Sequence, residues 1–170
     1  MAKHKKLGKR TDQRTALLYS QASQLLWYGK IETTVPRAKE VRKVAEKMIT
    51  LGVRNYKDTV VVTKMKRNQK DELIPVEYTN DGPKKLAARR RMLAVLANLK
   101  EQKAPKESKE SFRERTRDIK YPLIEKIFGE YAPKYDKREQ ETGQGGGYTR
   151  IIRLGERRGD GAERCILELV

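Results

Sequence analysis

The residues best placed to do chemistry are cations. Arg150, Arg153, Arg157 and Arg158 fall among the glycines of GGGYTRIIRLGERRGDGAE, which runs from Gly145 to Glu163 and reads as a strand and a turn. Lys39, Lys43 and Lys47 recur at four-residue spacing, which stacks them on one side of a helix. Lys3, His4, Lys5, Lys6, Lys9 and Arg10 crowd the first ten residues with no acid between them. An arginine fork pairs bidentately with phosphate and stacks on bases, and a lysine supplies a mobile point charge. The chemistry on offer is recognition of a polyanion, and nucleic acid is the expected partner.

The whole composition agrees. Lys and Arg total 40 against 23 Asp and Glu, a formal net charge of +17 that costs a compact chain self-repulsion unless a polyanion neutralises it. Only 36% of the 170 residues are hydrophobic and 37% are charged, enough for one domain whose core leaves some segments as tail or insertion. Residues 1–10 form the expected tail, disordered alone and ordered along phosphates; residues 11–170 form the domain. No apolar run reaches the roughly 18 residues of a membrane span, so a soluble, cytoplasmic protein is expected.

Catalysis finds little support. The single histidine, His4, stands in the tail, so no core histidine serves as a general base and no His/Cys set can hold a metal. The single cysteine, Cys165, alternates with leucines and reads as a packed strand residue; it also excludes an internal disulfide. The run GQGGG lacks the order a phosphate-binding loop needs, a strand before it and a helix after it. No catalytic residue, metal, cofactor or small-molecule substrate is expected.

These cations need elements to position them. The apolar spacing of Leu17, Leu18, Ala22, Leu25 and Leu26 predicts a helix from Thr11 or Asp12 to a stop at Gly29. KIETT, residues 30–34, reads as a short strand. A helix from Pro36 to Leu51, stopping at Gly52, puts Ala38, Val41, Ala45 and Met48 on its buried face, beside Val44 and Ile49. TVVVTKM and LIPVEYT, around the polar turn KRNQKD, predict a hairpin whose second strand Pro75 confines to an edge. A helix from Pro83 to Leu99, a polar linker over residues 100–117, and a short helix from Pro122 to Phe128 stopping at Gly129 follow. KYDKREQETGQGGG reads as another polar stretch. In the closing strand RCILELV, Cys165, Leu167 and Leu169 share one face, with Arg164, Ile166 and Glu168 on the other. The order of elements predicts an α+β fold, two layers with helices packed on one side of a small mixed sheet.

In the strand after Tyr148, Arg150 and Arg153 fall on opposite faces. The face turned from the helices, with Arg157 and Arg158 near the strand end, can reach phosphate. Tyr148 could stack on a base or pack in the core. Trp27 and Tyr28 read as core packing. Aromatic residues make up only 6% of the chain, so phosphate and shape should dominate recognition. If about eight cations meet phosphates, log affinity should fall against log salt with a slope of about six or seven.

IETT followed by PRAKEVRKVAEKMITL (31–51), and GGYTRIIRLGERRGD with the closing LELV (146–170), closely resemble the family of the seventeenth protein of the bacterial large ribosomal subunit. TRD at 116–118, the helix LIEKIF and the basic start add matches in the same order. The resemblance implies a two-layer α/β domain and a structural role bound to large-subunit (23S) rRNA. It also implies a place near the outer end of the nascent-chain tunnel, beside the small protein thirty-two. By that carry-over the basic tail, Arg14, the helix segment Lys39 to Lys47 and the arginines of YTRIIRLGERRGD meet RNA. The family's usual His-Arg pair at the start of the first helix stands here as Gln13-Arg14, so only the arginine carries over. Residues 53–82 and 100–115 are longer than in compact members and take no role from the resemblance. An RNA-acting enzyme and a ribosome assembly factor are the rival classes; the first would need a carboxylate cluster or cofactor loop, and the acids here are scattered among cations in pairs such as Arg42 with Glu46.

Overall fold

The structure is a computed structural model that describes residues 5–67, 71–117 and 119–170. Lys3 and His4 of the tail, the tip of the 53–82 hairpin and Asp118 of the TRD motif lie outside the described residues.

Helix α1 spans Thr11–Tyr28, and Gly29 closes it at φ 80°, its N–H donating to Leu25 O. That left-handed turn costs a glycine nothing. Strand β1, Lys30–Thr34, runs directly into α2, Val35–Asn55, with Pro36 in the first turn. The expected face of α2 is the buried one: Ala38, Val41, Ala45, Met48 and Ile49. Gly52, expected to stop this helix, lies inside it; the helix continues to Asn55 because Gly52 is the point of close approach to Ile127.

Strands β2, Thr59–Arg67, and β3, Leu73–Asp81, pair antiparallel from Thr59 opposite Asp81 to Arg67 opposite Leu73. They form the expected hairpin, a separate two-stranded ribbon in which each strand is an edge, so Pro75 breaks no second ladder. Helix α3, Pro83–Val95, starts where expected and stops short of Leu99. Ala88 and Met92 are its buried residues, with Leu96 just beyond its end, while Leu86 and Leu93 are exposed. Helix α3 turns that way because Arg89 is drawn between Asp81 of β3 and Glu125.

The expected linker over 100–117 contains a helix, α4, Lys109–Thr116, whose start is fixed by Ser108 accepting from the Ser111 N–H at 3.1 Å. It buries no residue, so no apolar period announced it. Helix α5, Pro122–Lys126, passes without a stop at Gly129 through a π-helical turn, Ile127–Tyr131, into α6, Ala132–Thr142. Most of the expected polar stretch is therefore helical, pinned by Ala132 and Tyr135 in the core. Strands β4, Thr149–Glu156, and β5, Glu163–Leu169, complete the sheet in the order β1-β5-β4.

The α+β class with helices on one side of a small sheet holds. Every pairing between described strands is antiparallel, so the sheet is not mixed. Cys165 and Leu167 point inward onto Ala22, Leu25, Val41 and Ala45, and burial pushes the Cys165 thiol up. A second core joins Leu26, Met48 and Ile49 to Met92, Leu123, Ile127 and Tyr135. Helix α2 belongs to both cores. Burying each of its larger apolar side chains contributes about 1.5–3 kcal/mol, so its solvent face is presented by a rigid backbone.

Candidate nucleic-acid interface

Both cores hold α2 from one side, and Lys39, Lys43 and Lys47 emerge exposed on the other. Lys43 donates to Oε1 of the buried Glu40 at 2.8 Å, whereas Lys39 and Lys47 make no ion pair among the described residues. Against this stripe lies the N-terminal half of α1. A recess of about 190 Å³ between the two helices is lined by Arg14, Thr15, Tyr19, Glu40 and Lys43. Arg14 donates through Nη1 to Lys5 O at 3.4 Å, while its Nε is buried with no hydrogen-bond partner among the described residues. A buried donor without an acceptor costs about 1–3 kcal/mol. The fold thus joins Arg14 and Lys43, which stand far apart in sequence.

The described part of the tail carries Lys5, Lys6, Lys9 and Arg10 exposed. Arg10 is tied bidentately to Asp12 at 2.8 and 2.9 Å, and its guanidinium holds the Asp12 carboxyl below the usual carboxylate range. The three lysines make no such pair among the described residues.

The β4–β5 arginines divide. Arg150 lies on the open face of the sheet, its Nη2 2.8 Å from Glu168 across the ladder. Arg153 lies on the face of Cys165, exposed, with Glu163 at 3.9 Å. A bulge follows between Arg153 and Gly155, and Gly155 takes φ 93°. Arg157 grips Asp160 in the turn with an Nη2–Oδ2 distance of 2.6 Å, which holds that carboxyl down at about 2. Arg158 is exposed and makes no ion pair among the described residues. Each internally paired arginine must share its fork with a carboxylate, so the unpaired cations are the readier phosphate ligands.

Two aromatic expectations change. Tyr148 is only 4% exposed, its ring 4.7 Å from that of Tyr135 with Arg138 over it, so it offers no face to a base. The glycines before it let the chain turn from α6 into β4 and set that ring inward. Trp27 packs against the core, but Tyr28 beside it is 64% exposed. Sequence reasoning also missed Arg37 and Arg164. Arg37 sits in the first turn of α2 and Arg164, the second residue of β5, stands opposite Thr34, and both line a recess with Arg157. Only the strand register brings them together.

Among the described residues no three metal-competent side chains gather, and no helix is long and apolar enough to cross a membrane. An antiparallel sheet backed by helices and ringed by exposed cations defines a basic α+β protein.

A family described as Ribosomal protein L17 matches residues 17–170. The chain is 38% identical to large ribosomal subunit protein bL17 of Lachnospira eligens, the match covering all of both chains. It is 39% identical to the protein of that name from Clostridium beijerinckii, again over all of both chains, and 39% identical to that of Finegoldia magna, over all of this chain and 86% of the relative. The chain belongs to the ribosomal protein L17 family of the large ribosomal subunit, a family of ribosomal structural proteins rather than enzymes.

Proposed function

We propose that this chain is a structural constituent that binds large-subunit (23S) rRNA through its basic tail, the α1–α2 groove and the β4–β5 turn. The observation that carries the reading is the recess where Arg14 and Lys43 meet, with the buried Arg14 Nε lacking an acceptor among the described residues. A phosphate oxygen supplies that acceptor, and phosphates along the same strand meet Lys39, Lys47 and the tail lysines Lys5, Lys6 and Lys9. Arg150, Arg153, Arg157 and Arg158 extend the basic surface along the sheet end; Lys3, His4 and Arg10 extend it along the tail. Tyr148 takes no part. The net charge of +17 supports the same partner, because rRNA removes its self-repulsion. A position near the nascent-chain tunnel exit, contact with protein thirty-two and work in translation in the cytoplasm follow from the family resemblance and are part of the proposal.

The test is filter binding of the purified chain to deproteinised large-subunit rRNA across a salt series. The expected result is a linear fall of log affinity with log salt, of slope about six or seven. A flat dependence contradicts the reading.

A further inference from the structure

We infer that the recess at the end of the sheet is a seat for one RNA backbone phosphate, held by Arg37, Arg157 and Arg164, and that Glu32 fills the anion's place in the free protein. The inference rests on the RNA-binding reading above.

The recess has a volume of about 240 Å³ and is walled by Glu32, Thr33, Thr34, Arg37, Arg157 and Arg164. Its parts come from opposite ends of the chain. The antiparallel register sets Thr34 opposite Arg164, which brings the end of β1 and the first turn of α2 beside the β4–β5 turn. Three arginines line one small cavity and repel one another, and among the described residues that line it Glu32 is the single carboxylate.

Each arginine is held differently. Arg157 is oriented by Asp160, and its backbone N–H donates to Ala162 O at 3.1 Å, so its guanidinium is preset at the rim. Arg37 makes no ion pair among the described residues. Arg164 meets Glu32 through one long contact, Nη1 to Oε1 at 3.3 Å, between side chains that are 44% and 55% exposed. Such an exposed pair is weak and easily exchanged. A phosphodiester offers two non-bridging oxygens, one for each fork of Arg37 and Arg164, where Glu32 reaches only one of them. The start of α2 adds to this field. Thr34, at its N-cap, makes no side-chain capping bond, so the positive end of a 21-residue helix opens beside the cavity.

Glu32 gives the inference its sharpest consequence: removing an acid should improve binding beyond the general effect of charge. The experiment is filter binding to deproteinised large-subunit rRNA across salt, with wild type, Glu32→Gln, the double variant Arg37→Ala/Arg164→Ala, and Arg164→Lys, after thermal melts confirm that each is folded. The double variant should lose about tenfold in affinity at low salt and lower the salt slope by about 0.7–0.9, the signature of one phosphate contact. Glu32→Gln should bind about two- to fivefold tighter with the wild-type slope, because it frees Arg164 without adding a phosphate contact. Arg164→Lys, which keeps the charge and loses the fork, should fall between.

Wild-type affinity and slope in the double variant, or unchanged or weaker binding by Glu32→Gln, overturns the phosphate seat while leaving the wider RNA reading intact. Saturable binding of inorganic phosphate by the free chain, combined with an unaffected double variant, assigns the recess to a free anion and also overturns it. A wild type with no salt-dependent rRNA binding removes both readings together.

Discussion

Gly52 of α2 faces Ile127 across a gap that admits no side chain: a Cβ at position 52 would stand 2.9 Å from Ile127 Cγ2. Helical propensity alone would make Gly52→Ala stabilising by about 1 kcal/mol. The clash opposes this, because Ile127 is fully buried and β-branched, and overpacking a rigid core costs about 1–3 kcal/mol. Gly52→Ala should therefore lower stability by about 1 kcal/mol in a urea melt. A stabilised variant would show that the α2–π-turn contact is softer than its geometry.

The hairpin is joined to the body through Asp58. Its Oδ2 accepts from the Lys84 N–H at 2.8 Å and the Lys85 N–H at 3.2 Å, capping α3 from outside the helix. Asp58→Ala should cost about 1 kcal/mol, as losing a cap does, and Asp58→Asn much less. Hydrogen exchange should show faster opening of the base of β2 and β3 in the alanine variant alone. Equal exchange in all three proteins would remove Asp58 as the anchor.

Alkaline pH should loosen the α5–α6 region. Burial raises the Tyr131 phenol to about 12, and its hydroxyl donates to Leu26 O at 2.8 Å. A folded-state value above the unfolded one gives stability that is complete below about pH 10 and lost as pH rises toward 12. Thermal melts should decline across that window, and Tyr131→Phe should flatten the decline. The decline should not vanish, because burial raises Tyr135 in the same core as well.

The acid limb has the opposite sign. Burial would raise Asp81, but Arg89 and Lys85 outweigh it and hold the carboxyl below its ordinary value. Its contribution is present above the unfolded-state value and fades as pH falls through the lower folded one. Asp81→Asn should weaken the neutral-pH protein and flatten its loss of stability below about pH 4. A parallel acid limb in wild type and variant would count against the Asp81–Arg89 link.

Lys39 and Lys47 test the interface without disturbing the fold. Both are exposed and make no ion pair among the described residues. Lys39→Ala/Lys47→Ala should change stability by less than about 0.5 kcal/mol. It should reduce the rRNA salt slope by about 1.5, two phosphate contacts' worth. An unchanged slope would leave this stripe as a solvated face.

Local signals were legible where one residue decides the backbone. Gly29 closes α1, Pro83 opens α3, and the alternation of Cys165 and Leu167 in β5 picks the inward face. Signals that depend on a distant partner were not. Gly52 and Gly129 look like helix stops until α2 and the π turn are seen to pack together, and α6 shows no apolar period because Ala132 and Tyr135 alone anchor it. The site follows the same division. Cation-rich faces such as Lys39, Lys43 and Lys47 can be read from spacing, whereas the burial of Tyr148 and the meeting of Arg37 with Arg164 require the finished sheet.

Quantitative mass spectrometry across a high-salt sucrose gradient of lysate tests whether the protein resides structurally in the large ribosomal subunit. The chain should co-migrate with mature large subunits at one copy per particle. Recovery at the top of the gradient, or on immature particles alone, would contradict it and point to an assembly factor.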